Sequence, residues 1–97
     1  MRIAWSPLAM ERVTEIAGFI AADNPAAAEA WVRKIFRRAG QLERFPASGR
    51  RVSETNREDI RELTWGNYRI IYRVESKTVS ILTVRHVKQL LPLEELE

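Results

Sequence analysis

Between Ile60 and Val87 the chain reads IRELTWGNYRIIYRVESKTVSILTVRHV, three short runs rich in Ile, Val, Thr, Tyr and Trp separated by Gly66-Asn67 and by Glu75-Ser76-Lys77. This is the pattern of a three-stranded antiparallel meander. The two-residue connection at Gly66-Asn67 sets the register of the first pair, because a slip of one residue would turn every side chain to the wrong face. Trp65 is expected opposite Tyr68, Leu63 opposite Ile70, and Arg61 opposite Tyr72, all on one face. The other face then holds Thr64 beside Arg69, Glu62 beside Ile71, and Ile60 beside Arg73. The register across Glu75-Ser76-Lys77 stays open. A three-residue loop puts Leu82 and Val84 on the face of Ile70, whereas a two-residue loop puts Val79 and Ile81 there, and the choice decides which of Arg85 and His86 shares a face with Arg69.

Upstream the period changes. Arg2-Ile3-Ala4-Trp5 alternates as a short opening strand, and Ser6-Pro7 marks a helix start, with serine as N-cap and proline in the first turn. Ala9, Val13, Ile16, Ala17 and Ile20 recur at helical spacing, so one stripe of this helix is buried. Asp23-Asn24-Pro25 ends it and starts a second helix, expected from Pro25 to about Phe45, on which Ala28, Trp31, Val32, Ile35, Ala39 and Leu42 form a continuous apolar stripe. Two helices joined by so short a turn lie antiparallel and can jointly cover one side of the sheet. Phe45-Pro46-Ala47-Ser48-Gly49 closes the helical half and leads into a polar loop, Arg50 to Asp59, where Glu54, Glu58 and Asp59 offset Arg50, Arg51 and Arg57. The tail carries Leu90, Leu91, Leu93 and Leu96 around Pro92, which suggests docking onto the domain or onto a partner. The expected fold is α+β, an N-terminal strand and antiparallel helical hairpin packed on a twisted antiparallel sheet. One domain spans 1–97, with the hairpin at about 7–45, the meander at about 60–87 and the tail at 88–97.

Composition narrows the chemistry. Ninety-seven residues suffice for one core without staples. Cysteine is absent, which excludes a disulfide framework, a thiolate metal site and a cysteine nucleophile, and a single histidine argues against structural zinc. No cofactor or metal is expected. No apolar run approaches a membrane span and MRIAWSPLAM lacks the apolar core of a signal peptide, so a soluble cytoplasmic protein without a membrane partner is expected. Leu96-Glu97 is either native or an appended remnant, and nothing rests on it.

The net charge of +3 is a mild bias toward an anionic partner, since thirteen acidic residues lie among sixteen basic ones. Arg33, Lys34, Arg37, Arg38 and Arg44 fall on the exposed side of the second helix. They form either a solvated face, with Glu29 pairing to Arg33 at i, i+4, or an electrostatic footprint for nucleic acid or an acidic protein surface. Aromatic interleaving for base stacking is missing there, because Trp31 lies on the apolar stripe and only Phe36 falls toward the flank. On the sheet, Arg69 and Arg73 project from mid-strand. Either Glu62 neutralises both diagonally, or a rigid sheet holds their guanidinium groups for an anionic partner. Arg85, His86 and Lys88 add ionisable groups at the end of the last strand.

Taken in order, Trp5-Ser6-Pro7-Leu8-Ala9, Asn24-Pro25-Ala26-Ala27-Ala28, Phe45-Pro46, Ser48-Gly49-Arg50, Glu54, Ile60-Arg61-Glu62-Leu63, Tyr68-Arg69-Ile70-Ile71-Tyr72 and Val84-Arg85-His86 resemble the RelE/ParE superfamily of toxins from bacterial type II toxin-antitoxin modules. The resemblance covers nearly the whole chain and rests on order and spacing rather than on any one piece. It implies a small α+β fold, growth inhibition, and neutralisation by a cognate antitoxin that orders as it wraps the toxin. The superfamily has two targets. RelE-like members cut mRNA in the ribosome, and for that activity Arg69 would stabilise the phosphorane-like charge while His86 or Lys88 protonated the leaving 5′-oxygen. ParE-like members poison DNA gyrase, and Arg61, Arg69, Arg73, Arg85, His86 and Lys88 would then bind a protein partner. RelE-type sites carry lysines on the strand before the hairpin, where this chain offers Arg61 and Glu62, so the gyrase-directed alternative is favoured. A non-toxic binding scaffold is the third alternative.

Overall fold

The computed structural model describes residues 1–96. Its elements are β1 (Arg2–Trp5), α1 (Pro7–Asp23), α2 (Pro25–Gly40), β2 (Arg50–Arg51), β3 (Ile60–Trp65), β4 (Tyr68–Val74) and β5 (Thr78–His86), with 3-10 turns at Gln41–Glu43 and Leu93–Leu96. Glu97 lies outside the described residues.

Both helix starts use the expected device. The Ser6 hydroxyl accepts from the Ala9 amide at 3.0 Å and donates to the Leu82 carbonyl at 3.0 Å, so one side chain caps α1 and ties it to β5. Asn24 closes α1 through its amide on the Ile20 carbonyl (2.9 Å) and opens α2 through its side chain, which accepts from the Ala27 amide (3.1 Å). A reversal made by a single residue brings α2 back along α1. On α2 the apolar stripe is buried at Ala28, Trp31, Ile35 and Ala39. The α-helix stops at Gly40, short of Phe45, because a 3-10 turn takes over; Leu42 in that turn still reaches the core, while Phe45 is exposed. On α1 only Ala9 and Val13 are buried, and Ile16, Ala17 and Ile20 are partly covered.

The sheet has the order β1-β5-β4-β3-β2. The β3–β4 register is the one expected, with Trp65 opposite Tyr68, Leu63 opposite Ile70 and Arg61 opposite Tyr72. Between β4 and β5 a bulge resolves the open register. Ile70 faces Val84 and Ile71 faces Thr83, but Tyr72 faces Ile81, so Leu82 is the inserted residue. Val84 therefore shares the helix-facing side with Ile81 and Val79, and Leu82 turns away from it. Two features depart from the sequence-based expectation. β1 pairs parallel to β5, making the sheet mixed rather than antiparallel. As a terminal strand, β1 has no hairpin to dictate its direction, and this placement packs Ile3 and Trp5 on the helix-side core. Within the expected loop, Arg50 and Arg51 form a two-residue edge strand against Glu62 and Arg61, too short to leave a periodic signal.

Two cores result. The helix-facing one is built from α1, α2 and the inward positions of β3, β4 and β5. On the other face Val52, Ile60, Ile71 and Leu82 are roofed by Leu91 and Leu96, so half of the tail's leucines dock on the chain itself, while Leu90 and Leu93 stay exposed.

At the sheet's edge Gly49 is wedged against Tyr72. Its amide donates to the Tyr72 hydroxyl at 2.9 Å, and that hydroxyl donates to the Pro46 carbonyl at 2.9 Å. A Cβ here would sit 2.5 Å from both the Glu62 carbonyl oxygen and the Tyr72 hydroxyl, neither of which is free to yield. Gly18, inside α1, faces open space. In urea unfolding, Gly49→Ala is expected to lose about 1–3 kcal/mol, whereas Gly18→Ala is expected to gain about 0.5–1 kcal/mol from helix propensity.

Candidate functional site

Arg69 projects from β4 on the face away from the helices and is buried at 7% exposure. An isolated guanidinium could not stay charged there at acceptable cost, and the structure supplies two carboxylates. Glu54 binds it bidentately, from Nη1 at 2.8 Å and from Nη2 at 2.9 Å. Glu62 accepts from Nε at 2.9 Å and from Nη2 at 2.5 Å. Four of the five N–H donors of a guanidinium are thus taken. Glu62 extends the chain outward to Arg50 Nε at 2.8 Å. Two arginines and two glutamates alternate as Arg50–Glu62–Arg69–Glu54 and balance in charge.

The bonds from Arg69, opposed by burial, hold the Glu54 carboxyl down at about 2. The bonds from Glu54, again against burial and with help from Glu62, raise the Arg69 guanidinium further above its ordinary range. Arg69 therefore ties the 52–59 loop to the sheet, and Glu54 is the member that the sequence left among loop charges. Its only signal is its place in the Phe45–Glu54 series of family residues.

The remaining site candidates divide between the two faces. Arg85 is the cross-strand partner of Arg69 and shares its face. It is engaged by Glu95 of the tail at 2.9 Å, which also accepts from the Thr83 hydroxyl at 2.6 Å and from Arg12 of α1 at 3.3 Å. Burial alone would raise the Glu95 carboxyl, but the bonds from Thr83 and Arg12 and the charge of Arg85 outweigh it and hold it below its ordinary range. Nothing in the tail's sequence distinguished Glu95 from Glu94. Lys88 is exposed and lines a depression of about 250 Å³ with Arg50, Glu54, Glu62 and Arg69. His86 is on the opposite face, where its ring meets Tyr68 edge-on at 5.4 Å and lines a cleft of about 400 Å³ with Ile16, Phe19 and Gln89. Arg61 donates to the Gly49 carbonyl at 2.9 Å. Arg73 pairs with Glu75 at 3.4 Å rather than with Glu62, because Arg69 and Arg50 occupy that carboxylate.

The arrangement brings Arg69 and Lys88 to one depression and turns the His86 ring to the other face, where its Nδ1 accepts from the Lys88 backbone amide at 3.1 Å. A guanidinium held by two carboxylates is poorly placed to stabilise a phosphorane, which needs free donors aimed at the developing charge. No group of His, Cys, Asp or Glu that could hold a metal ion occurs among the described residues.

Removing the Arg69 side chain would leave Glu62, which is 4% exposed, with Arg50 as its one remaining cation among the described residues. Arg69→Ala is expected to cost about 3–5 kcal/mol in chemical denaturation. Glu54 has a folded-state value below its unfolded one, so its contribution is complete above about pH 4.5 and fades as pH falls toward 2. Glu54→Gln is expected to lower stability at pH 7 by about 1–3 kcal/mol and to flatten the loss between pH 5 and 2, read from urea midpoints across that range.

The family model described as the ParE toxin of the type II toxin-antitoxin system parDE matches residues 3–91. A protein of Sinorhizobium fredii named as a candidate toxin, Y4kP, is 38% identical over 93 residues, covering 94% of this chain and 93% of its own. Among solved structures, a chain of the chromosomal ParDE system of P. aeruginosa superposes with a TM-score of 0.73 at 20% identity, over 89% of this chain and 95% of its own. A chain of the toxin-antitoxin complex RelBE2 of Mycobacterium tuberculosis gives 0.58 at 26% identity, over 88% and 95%. The family model's match to residues 3–91 and the 38% identity to Y4kP over nearly the full length of both chains show that this chain belongs to the ParE toxin family, within the RelE/ParE superfamily of type II toxin-antitoxin systems.

Proposed function

We propose that the chain arrests bacterial growth by binding and inhibiting DNA gyrase, without chemistry of its own, and that a cognate antitoxin relieves the arrest. The observation that carries the choice of gyrase over mRNA cleavage is the double clamp on Arg69. A ribonuclease mechanism asks this arginine to receive a phosphoryl charge while His86 or Lys88 delivers a proton. Arg69 is already neutralised by Glu54 and Glu62, and His86 stands on the other face of the sheet. An inhibitor that works by contact needs no such convergence. It needs a rigid surface, which the ion-paired sheet supplies. The antitoxin is inferred from family membership and from the naming of the ParDE and RelBE2 relatives. Exposed apolar residues suited to a wrapping partner are present at Phe19, Leu90 and Leu93. With gyrase and an antitoxin as partners, the chain would act in the bacterial cytoplasm. Among the described residues no helix is long and apolar enough to cross a membrane.

Labelled thymidine and labelled amino acid incorporation, followed in the first minutes after induction of this chain alone, separate the alternatives. DNA synthesis is expected to fall first, and the purified chain is expected to inhibit gyrase supercoiling. An early fall in protein synthesis with fragmented mRNA would instead establish the ribonuclease, and undisturbed growth with soluble protein present would establish a scaffold. His86→Ala discriminates further. Loss of a general acid costs roughly 10²–10⁴-fold, whereas a binding surface is expected to lose less than about tenfold in inhibition.

A further inference from the structure

Four arginines of the sheet are consumed internally, and the longest row of cations left without a carboxylate lies on α2. Arg50, Arg69, Arg73 and Arg85 each hold a carboxylate. Among the described residues no ion pair involves Arg33, Lys34, Arg37, Arg38 or Arg44, and the Glu29–Arg33 pair suggested by i, i+4 spacing is not formed. The helical hairpin is also polarised. Helix α1 carries Glu11, Glu15 and Asp23 against Arg12, whereas α2 carries four cations against Glu29 alone.

Helix stability does not account for this spacing. Arg33 with Arg37 and Lys34 with Arg38 are like charges at i, i+4, which weaken a helix. Only Arg37 and Arg38, in the last turn, gain from the helix dipole. Two of the cations are held in place by the sheet edge: Lys34 lies over the Trp65 ring at 5.8 Å, and Arg38 Nε donates to the Thr64 carbonyl at 3.1 Å. Arg33, Lys34 and Arg37 are exposed. They form a ladder along the helix, with successive i, i+4 cations about 6 Å apart in rise. Two acids border this face: Glu29, one turn before Arg33, which holds no ion pair among the described residues, and Glu62 in the shallow depression beside Arg38, which is occupied by Arg50 and Arg69.

We infer that this α2 face binds the phosphate backbone of duplex DNA, through Arg33, Lys34, Arg37 and Arg38, without reading sequence. Complementarity between a row of cations that hold no carboxylate and a linear polyanion carries the assignment. The face lacks exposed aromatics between its cations, which fits backbone contact and not base stacking on a single strand. The choice of duplex DNA over other polyanions rests on the gyrase reading, since duplex DNA is the substrate of gyrase.

The test is fluorescence anisotropy of a labelled 20-base-pair DNA of mixed sequence with the purified chain, across a salt series, with no gyrase present. Four phosphate contacts predict a slope of log K against log salt of about −3.6. Lys34→Gln/Arg37→Gln is expected to weaken binding at least tenfold at low salt and to reduce the slope by about 2. Arg2→Gln/Lys77→Gln removes the same charge at the opposite sheet edge and is expected to leave the slope within about 0.5 of the parent. Circular dichroism of both variants establishes that they fold. An unchanged slope in Lys34→Gln/Arg37→Gln overturns the assignment. So does tighter binding to the equivalent RNA duplex, or equal competition by polyglutamate at matched charge, which would make the partner an RNA or an acidic protein. A negative result here leaves gyrase inhibition standing, because supercoiling is read separately. Loss of gyrase inhibition with intact DNA binding would overturn only the former.

Discussion

The structure depends on β4 being buried from both sides. Ile70, Ile71 and Tyr72 are consecutive and each has 0% exposure, so neither sheet face can be left to solvent. Cover must therefore be recruited on both sides: the helical hairpin on the face of Ile70 and Tyr72, and the 52–59 loop with the leucine tail on the face of Ile71. At roughly 25 cal/mol per Å² of apolar surface, the second cover is as necessary as the first. This requirement also explains why Arg69, between Tyr68 and Ile70, ends up in a place where a charge cannot stand alone.

The Arg50–Glu62–Arg69–Glu54 chain follows from that placement. A buried charge that must be matched is a poor source of net stability but a strong source of specificity, since only one docking of the loop presents Glu54 correctly. The same logic operates at the tail, where Glu95 gathers Thr83, Arg85 and Arg12 from two elements. Each roof over the second face is thus pinned by one glutamate. The molecule spends four of its sheet arginines on its own architecture, and a row of cations without carboxylate partners lies on the outer side of the hairpin.

Much of this was legible in the residues. Caps, apolar stripes and the Gly66-Asn67 turn gave the helices and the β3–β4 register because each is a local signal with a local cause. The bulge at Leu82 was not legible, as period-two alternation cannot report an inserted residue when both faces of β5 are apolar. The direction of β1 and the pairing of Arg50-Arg51 depend on distant partners, and nothing within four or two residues encodes them. For the candidate site, the sequence singled out Arg69 and its contact with Glu62. It missed the second clamp from Glu54, and it grouped His86 with Arg69 as one open possibility, which the bulge-set register rules out. Charged residues in loops carry no periodicity, so their partners become visible only once the chain has closed.

The parallel pairing of β1 with β5 has a kinetic side. Arg2 donates its amide to Lys77, and Ser6 donates to Ile81 and Leu82, so the first strand made waits for the last. In relative terms this is among the most distant contacts the chain can form, and loop closure over such a span slows folding. At about 5–20 residues per second, a nascent chain spends several seconds with its helices made and its sheet unfinished. The first residues synthesised are therefore the last to be locked, and the fold is completed only when β5 has cleared the ribosome.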